Sequence, residues 1–150
     1  SYILFMRSKR YKQGRYKLTR PSKYRGDPNN VWYRSSWELK FMLFCERTPH
    51  VTEWGSEEIK IPYIKPSDGR VHRYVPDFYM KMGGQKYIIE VKPERETKEP
   101  VMRKSARGKR TYITEVLTYA INKAKWHAAD DFCKDRGLIF KIITERELKV

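Results

Sequence analysis

Residues 88–93 read Ile-Ile-Glu-Val-Lys-Pro, an apolar run that carries a carboxylate and an ammonium two positions apart. A β-strand alternates its side chains, so Ile88, Glu90 and Lys92 face one way and Tyr87, Ile89 and Val91 the other. Charges set into an apolar strand are costly unless they pair, bind a metal ion or lie at an exposed edge. This strand therefore limits the chain to folds that answer the charge of Glu90 and Lys92 in one of those three ways.

The neighbouring segments supply the rest of a small α+β (α/β) domain. Ser35-Ser36-Trp37-Glu38 has capping-box spacing, and the helix it starts runs to Arg47, where Thr48-Pro49 ends it. Trp37, Phe41 and Phe44 are expected on its inward face, widened by Leu39, Met42 and Leu43. Strands are expected over 56–63, 70–80 and 85–92, separated by turns at Pro66-Ser67-Asp68-Gly69 and Gly83-Gly84. Residues 93–110 read as a long polar loop. Helical pattern covers about 111–136, with a break near Asn122, Gly137 as its stop and a last strand over 138–144. The order is α-β-β-β-α-β. At 150 residues the chain suits one domain, here 35–150, preceded by a basic arm over 1–34.

Charge narrows the partner. Thirty-three Lys and Arg against 18 Asp and Glu give a formal net charge of +15. Such a chain attracts polyanions and gains by releasing their counterions, so DNA or RNA is the expected partner, and the carboxylate–lysine set described below points to double-stranded DNA. No basic amphipathic anchor and no bilayer-length apolar run is evident, so no membrane role is expected. Cys45 and Cys133 fall among apolar neighbours without metal-ligand spacing and read as buried free thiols, which suits a reducing cytoplasm. His50, His72 and His127 show no ligand spacing, although His72 leads towards Asp77.

Asp77 follows Pro76 late in the second strand, one hairpin before Glu90 and Lys92. An antiparallel pair joined by a short turn can bring Asp77 opposite the Glu90 face. Two hard carboxylates close together suit Mg²⁺ or Mn²⁺, and a lysine beside them can orient an attacking water. The expected catalytic set is Asp77, Glu90, Lys92 and Glu38. The expected metal ligands are Asp77, Glu90 and the Val91 backbone carbonyl, with Glu38 and Glu57 as further candidates. Glu38 has two roles open to it, as capping residue and as a carboxylate aimed inward beside Phe41, Met42 and Cys45. Glu57 is equally readable as an edge-strand charge. Arg25, Arg34, Arg73, Arg103, Lys104, Arg107, Lys109, Arg110, Asn122 and Lys125 are the expected DNA contacts; for Asn122 and Lys125 a solvated face is the default reading.

These residues resemble a known family. Glu38, Pro76-Asp77 and Glu90-Val91-Lys92, in that element order, look like the restriction-endonuclease-like, PD-(D/E)xK core, which implies a mixed central sheet flanked by helices. Lys23–Pro28, Tyr33–Glu38, Trp54–Glu57, Arg73–Asp77, Ile89–Pro93 and Asn122–Trp126 resemble, more narrowly, the head-completion nucleases of T-even-like tailed bacteriophages. The resemblance implies an Mg²⁺-dependent DNA nuclease that processes packaged DNA before tails join. It would work in the host cytoplasm or virion, near portal, head or neck proteins. It also implies that Asp77 and Glu90 hold metal, that Lys92 is catalytic and that Glu38 matches a helix carboxylate of related junction-resolving and transposon-end nucleases. A non-catalytic DNA-binding head or neck adaptor and a dimeric junction-resolving endonuclease are the alternatives. The first twenty-two residues share least with the family.

Overall fold

A computed structural model describes residues 13–56 and 59–148. Its centre is a four-stranded mixed sheet in the order β3-β6-β7-β8, formed by Val51–Ser56, Phe78–Met82, Gln85–Val91 and Ile139–Ile143. β3–β6 and β6–β7 are antiparallel, and β7–β8 is parallel. The crossover between β7 and β8 contains the long helix α2, Ala106–Lys134. A parallel pair needs such a connection, because its second strand must restart from the same end.

Two apolar clusters cover opposite faces of the sheet. Phe78, Met80, Ile89 and Ile143 pack with Phe41, Met42 and Cys45 of helix α1, Ser36–Arg47. On the other side Ile61, Tyr63 and Tyr74 pack with Trp126 and Ala129 of α2, joined by Phe140 and Ile142. Adjacent residues Ile142 and Ile143 thus serve different clusters, as strand alternation requires. Tyr63 and Tyr74 come from a separate antiparallel hairpin, β4 (Ile61–Ile64) with β5 (Val71–Tyr74).

Several expected boundaries move. The expected strand over 56–63 resolves into the end of β3 and the start of β4, and β3 itself went unanticipated. A register shift between Val51 and Glu53 puts Val51 and Trp54, three positions apart, into one cluster, and Gly55 is buried beneath the Arg25 backbone, which together spoil the period of two. The expected strand over 70–80 divides at Val75-Pro76-Asp77. Pro76 has no N–H for a ladder, and the chain passes there from the hairpin to the main sheet. The end of the expected 93–110 loop is helical. Ser105 Oγ accepts the Gly108 N–H at 2.9 Å, and α2 continues through Asn122 without a break. Its first turns are basic and exposed, so no apolar face announced them.

α1 begins as expected, with Ser35 Oγ accepting the Glu38 N–H at 3.1 Å. Its inward residues are Phe41, Met42, Cys45 and Glu46, whereas Phe44, expected inside, is 38 % exposed. Residues 13–34, expected as part of an extended arm, pack against the domain. A short ribbon of β1 (Gly14–Arg15) and β2 (Trp32–Tyr33) brackets them, and Tyr16 and Val31 enter the α1 cluster. Glu46, only 1 % exposed, clasps the segment. It accepts bonds from the Thr19 N–H at 2.7 Å, the Thr19 hydroxyl at 2.9 Å, the Arg20 N–H at 3.0 Å and the Tyr16 hydroxyl at 3.1 Å. Lys23 Nζ adds bonds to the carbonyls of Cys45, Glu46 and Thr48 at the end of α1. Cys45 and Cys133 are buried and free, as expected.

Candidate active site

The β5–β6 transition decides where Asp77 points. Phe78 pairs with Ile89, so the register continued by one residue sets Asp77 opposite Glu90. Asp77 Oδ2 accepts the Val91 N–H at 2.8 Å, which fixes the carboxylate on the end of β7. Both carboxylates open into one cleft of about 410 Å³ lined by Arg34, Glu38, Arg73, Tyr74, Val75, Asp77, Glu90, Val91, Lys92 and Lys125. Eight of the expected site residues meet there, drawn from segments that run from Arg34 to Lys125.

The side chains of Asp77 and Glu90 are largely buried. Burial, then the neighbouring Glu90 charge, pushes the Asp77 carboxyl up to about 8. The Val91 N–H and Arg34 act in the opposite direction, and Glu38 adds to the rise. Glu90 is also raised, chiefly by burial, although Tyr74, Lys92 and Lys125 favour its ionised form. Tyr74 donates to Glu90 Oε1 at 2.6 Å, and Lys92 Nζ lies 3.9 Å from Glu90 Oε2. Lys125 Nζ sits over the rings of Tyr63 and Tyr74, 5.9 and 5.7 Å from their centroids. Burial lowers its pKa first, and Lys92 and Lys65 lower it further, against Glu90.

Arg34 bridges the two acidic walls. Its guanidinium lies 3.8 Å from Asp77 Oδ1 and 3.7 Å from Glu38 Oε2, and its N–H donates to Glu38 Oε1 at 3.0 Å. Glu38 therefore lines the cleft, while its carboxylate also accepts the backbone N–H of Arg34, the residue just before the Ser35 N-cap. No group of three or more His, Cys, Asp and Glu side chains suited to a metal ion forms among the described residues. Two carboxylates driven towards protonation by burial and by each other are nonetheless a donor set that a hard divalent cation fits. Mg²⁺ commonly takes only one or two carboxylates and keeps several waters.

The other expected residues lie elsewhere. Arg25 pairs with Glu53 beside a second pocket, with Tyr79 and Lys86 on its wall. Arg103 makes a forked pair with Glu115 at 2.7 and 3.3 Å. Lys104, Arg107, Lys109 and Arg110 are exposed around the start of α2, and Asn122 is buried at a groove shared with Arg95, Arg103 and Tyr119. His72 pairs with Asp68 at 2.8 Å across the hairpin turn. Glu57 lies outside the described residues. Tyr74 and Tyr63 are the site residues that sequence reasoning missed. Nothing in the sequence ties these two rings to Glu90 and Lys125, which come from other elements.

Residues 48–145 match the family described as TnsA-like endonuclease N terminal, a stretch that includes Asp77, Glu90, Lys92 and Lys125. The chain is also 40 % identical over 131 residues to the head completion nuclease of Enterobacteria phage T4, a match spanning 85 % of this chain and 87 % of that protein. With the mixed sheet and flanking helices already described, these likenesses place the chain in one group: it belongs to the TnsA-like endonuclease family of restriction-endonuclease-like fold, and within it to the relatives of the phage head completion nuclease.

Proposed function

We propose that this protein is a divalent-metal-dependent DNA endonuclease that hydrolyses phosphodiester bonds at the Asp77–Glu90 cleft. The observation that carries the reading is the facing pair of buried carboxylates on adjacent strand ends, with Lys92 3.9 Å from Glu90 and cations on the surrounding walls. Asp77, Glu90 and the Val91 carbonyl would hold Mg²⁺ or Mn²⁺. Such an ion, when bound, lowers the pKa of water and neutralises charge growing on the phosphate.

The chain's own groups supply the rest. Lys92 donates hydrogen bonds to the attacking water and holds it in line with the phosphorus. A new P–O bond forms from that water as it gives up a proton to solvent, the P–O bond to one sugar oxygen breaks, and the departing oxygen takes its proton from a solvent water. Lys125, held between two tyrosine rings and the Glu90 charge, is placed to stabilise phosphate oxygens as negative charge accumulates. Arg34 and Arg73 meet flanking phosphates at the cleft mouth, and the basic start of α2 extends the track along the duplex.

The phage relative's name supports a role in head completion. In this reading packaged DNA is trimmed in the host cytoplasm before a tail joins, at a site formed by portal, head or neck proteins. No helix among the described residues is long and apolar enough to cross a membrane. Plasmid cleavage with and without Mg²⁺ tests the enzymatic reading. D77N and E90Q should abolish cleavage while the circular dichroism spectrum and duplex binding persist. Full activity in either variant would reject the site.

A further inference from the structure

The outward face of the β1–β2 ribbon carries an indole that joins neither core cluster among the described residues. Across Val31, Trp32, Tyr33 and Arg34 the side chains alternate. Val31 is 1 % exposed and Tyr33 packs against the core, whereas Trp32 is 54 % exposed and Arg34 also faces solvent. Trp32 and Arg15 are register partners in the antiparallel ribbon, so their side chains share a face. The result is a strip of Arg15, Trp32 and Arg34, in which the Arg15 guanidinium donates to the Asn29 carbonyl and the Arg34 guanidinium reaches Glu38 and Asp77. Two residues of extended chain span about 7 Å at most, so the indole stands close to Arg34, whose guanidinium reaches Asp77. Asn30 Oδ1 accepts the indole N–H at 2.8 Å, which orients the ring edge without using its π face.

We propose that this strip is a stacking site for an unpaired nucleobase next to the scissile phosphate, so that the preferred substrate is DNA whose base stacking is interrupted near the cut. The inference rests on the nuclease reading of the cleft and names the substrate class for it. An aromatic face beside cations is the arrangement that binds exposed bases and their phosphates. The neighbouring guanidiniums and a net charge of +15 favour a polyanion over a basic or neutral protein surface. Within an intact duplex each base face is already covered by its neighbours, and so the indole can engage only at gaps, flaps, branches or ends.

The test uses the full chain and two duplexes closed at both ends by non-nucleotide ethylene glycol linkers, one continuous and one with a three-nucleotide gap. Affinity is read by fluorescence anisotropy in EDTA. The wild type should favour the gapped duplex. Replacing Trp32 (W32A) should weaken gapped binding about fivefold to a hundredfold, while W32F retains most of it and continuous-duplex binding moves less than twofold. An equal loss on both duplexes overturns the proposal. No change on either also overturns it and leaves Trp32 to a protein contact. Mg²⁺-dependent plasmid cleavage by the same preparations reports separately on the nuclease reading, so the two ideas fail independently.

Discussion

The Tyr74 hydroxyl donates a 2.6 Å hydrogen bond to Glu90 Oε1, tying a hairpin that lies outside the main sheet to a carboxylate on its central strand. The same ring lies beneath Lys125, so one residue positions an acid and a base from different elements. Tyr74→Phe keeps the packing and removes the bond. It should cost about 2 kcal/mol of stability, as expected for a buried bond to a charged group. Tyr74 favours the ionised form of Glu90, so its loss should raise that carboxyl further and move the pH midpoint of divalent-cation binding upward. Thermal melts and cation titrations across pH measure both effects, and an unchanged midpoint would argue against the coupling.

Asp77 makes the metal-free protein less stable than it could be. Its carboxyl rises to about 8 in the folded state, from an ordinary value of 3.8. The folded chain therefore holds a proton that the unfolded chain releases. Asp77 costs increasing stability as pH climbs from about 4 towards 8, and nothing below that window, where both states are protonated. Asp77→Asn should raise the melting temperature in EDTA at pH 7.5, and the gain should vanish near pH 3. Cleavage should be lost in the same variant.

Glu46 titrates in the opposite sense. Burial alone would raise it, but the bonds from Thr19, Arg20 and Tyr16 outweigh that, and its net pKa is lowered. Its stabilisation is fully present above the unfolded value of about 4.5 and disappears as pH falls through the lower folded value. Glu46→Ala should destabilise by about 2–4 kcal/mol at neutral pH, because four donors lose a buried acceptor. Urea melts should show a smaller difference between wild type and variant at pH 3 than at pH 7.

Arg34 competes with a cation for Asp77. An exposed pair of this kind is worth at most about 1 kcal/mol, so Arg34→Gln should tighten Mg²⁺ binding by up to about fivefold in the absence of DNA. The same change should weaken DNA binding. Isothermal titration in both conditions distinguishes this from a purely structural role, which would not move the two affinities in opposite directions.

The acidic pair and Lys92 were legible because they need only the strand period and one tight hairpin. The N-cap at Ser35 was legible for the same reason, since its signal spans four residues. Features that depend on distant partners were not. Val51–Ser56 hid behind a bulge, and Arg70–Met80 concealed a change of sheet at Pro76. Tyr74 acquired its role only when β5 packed against α2 and Glu90. Tyr16 and Val31 looked like isolated apolar residues in a basic tract, because the carboxylate that organises their segment comes thirty positions after Tyr16.

The clasp at Glu46 bears on how small a piece of this chain can stand alone. An excised fragment starting at residue 35 would leave a naked anion beneath the surface, deprived of every donor it has from Tyr16, Thr19 and Arg20. It would also lose the plug formed by Val31 and strip the cleft of Arg34. Truncations meant to trim a dispensable tail should therefore stop short of Gly14.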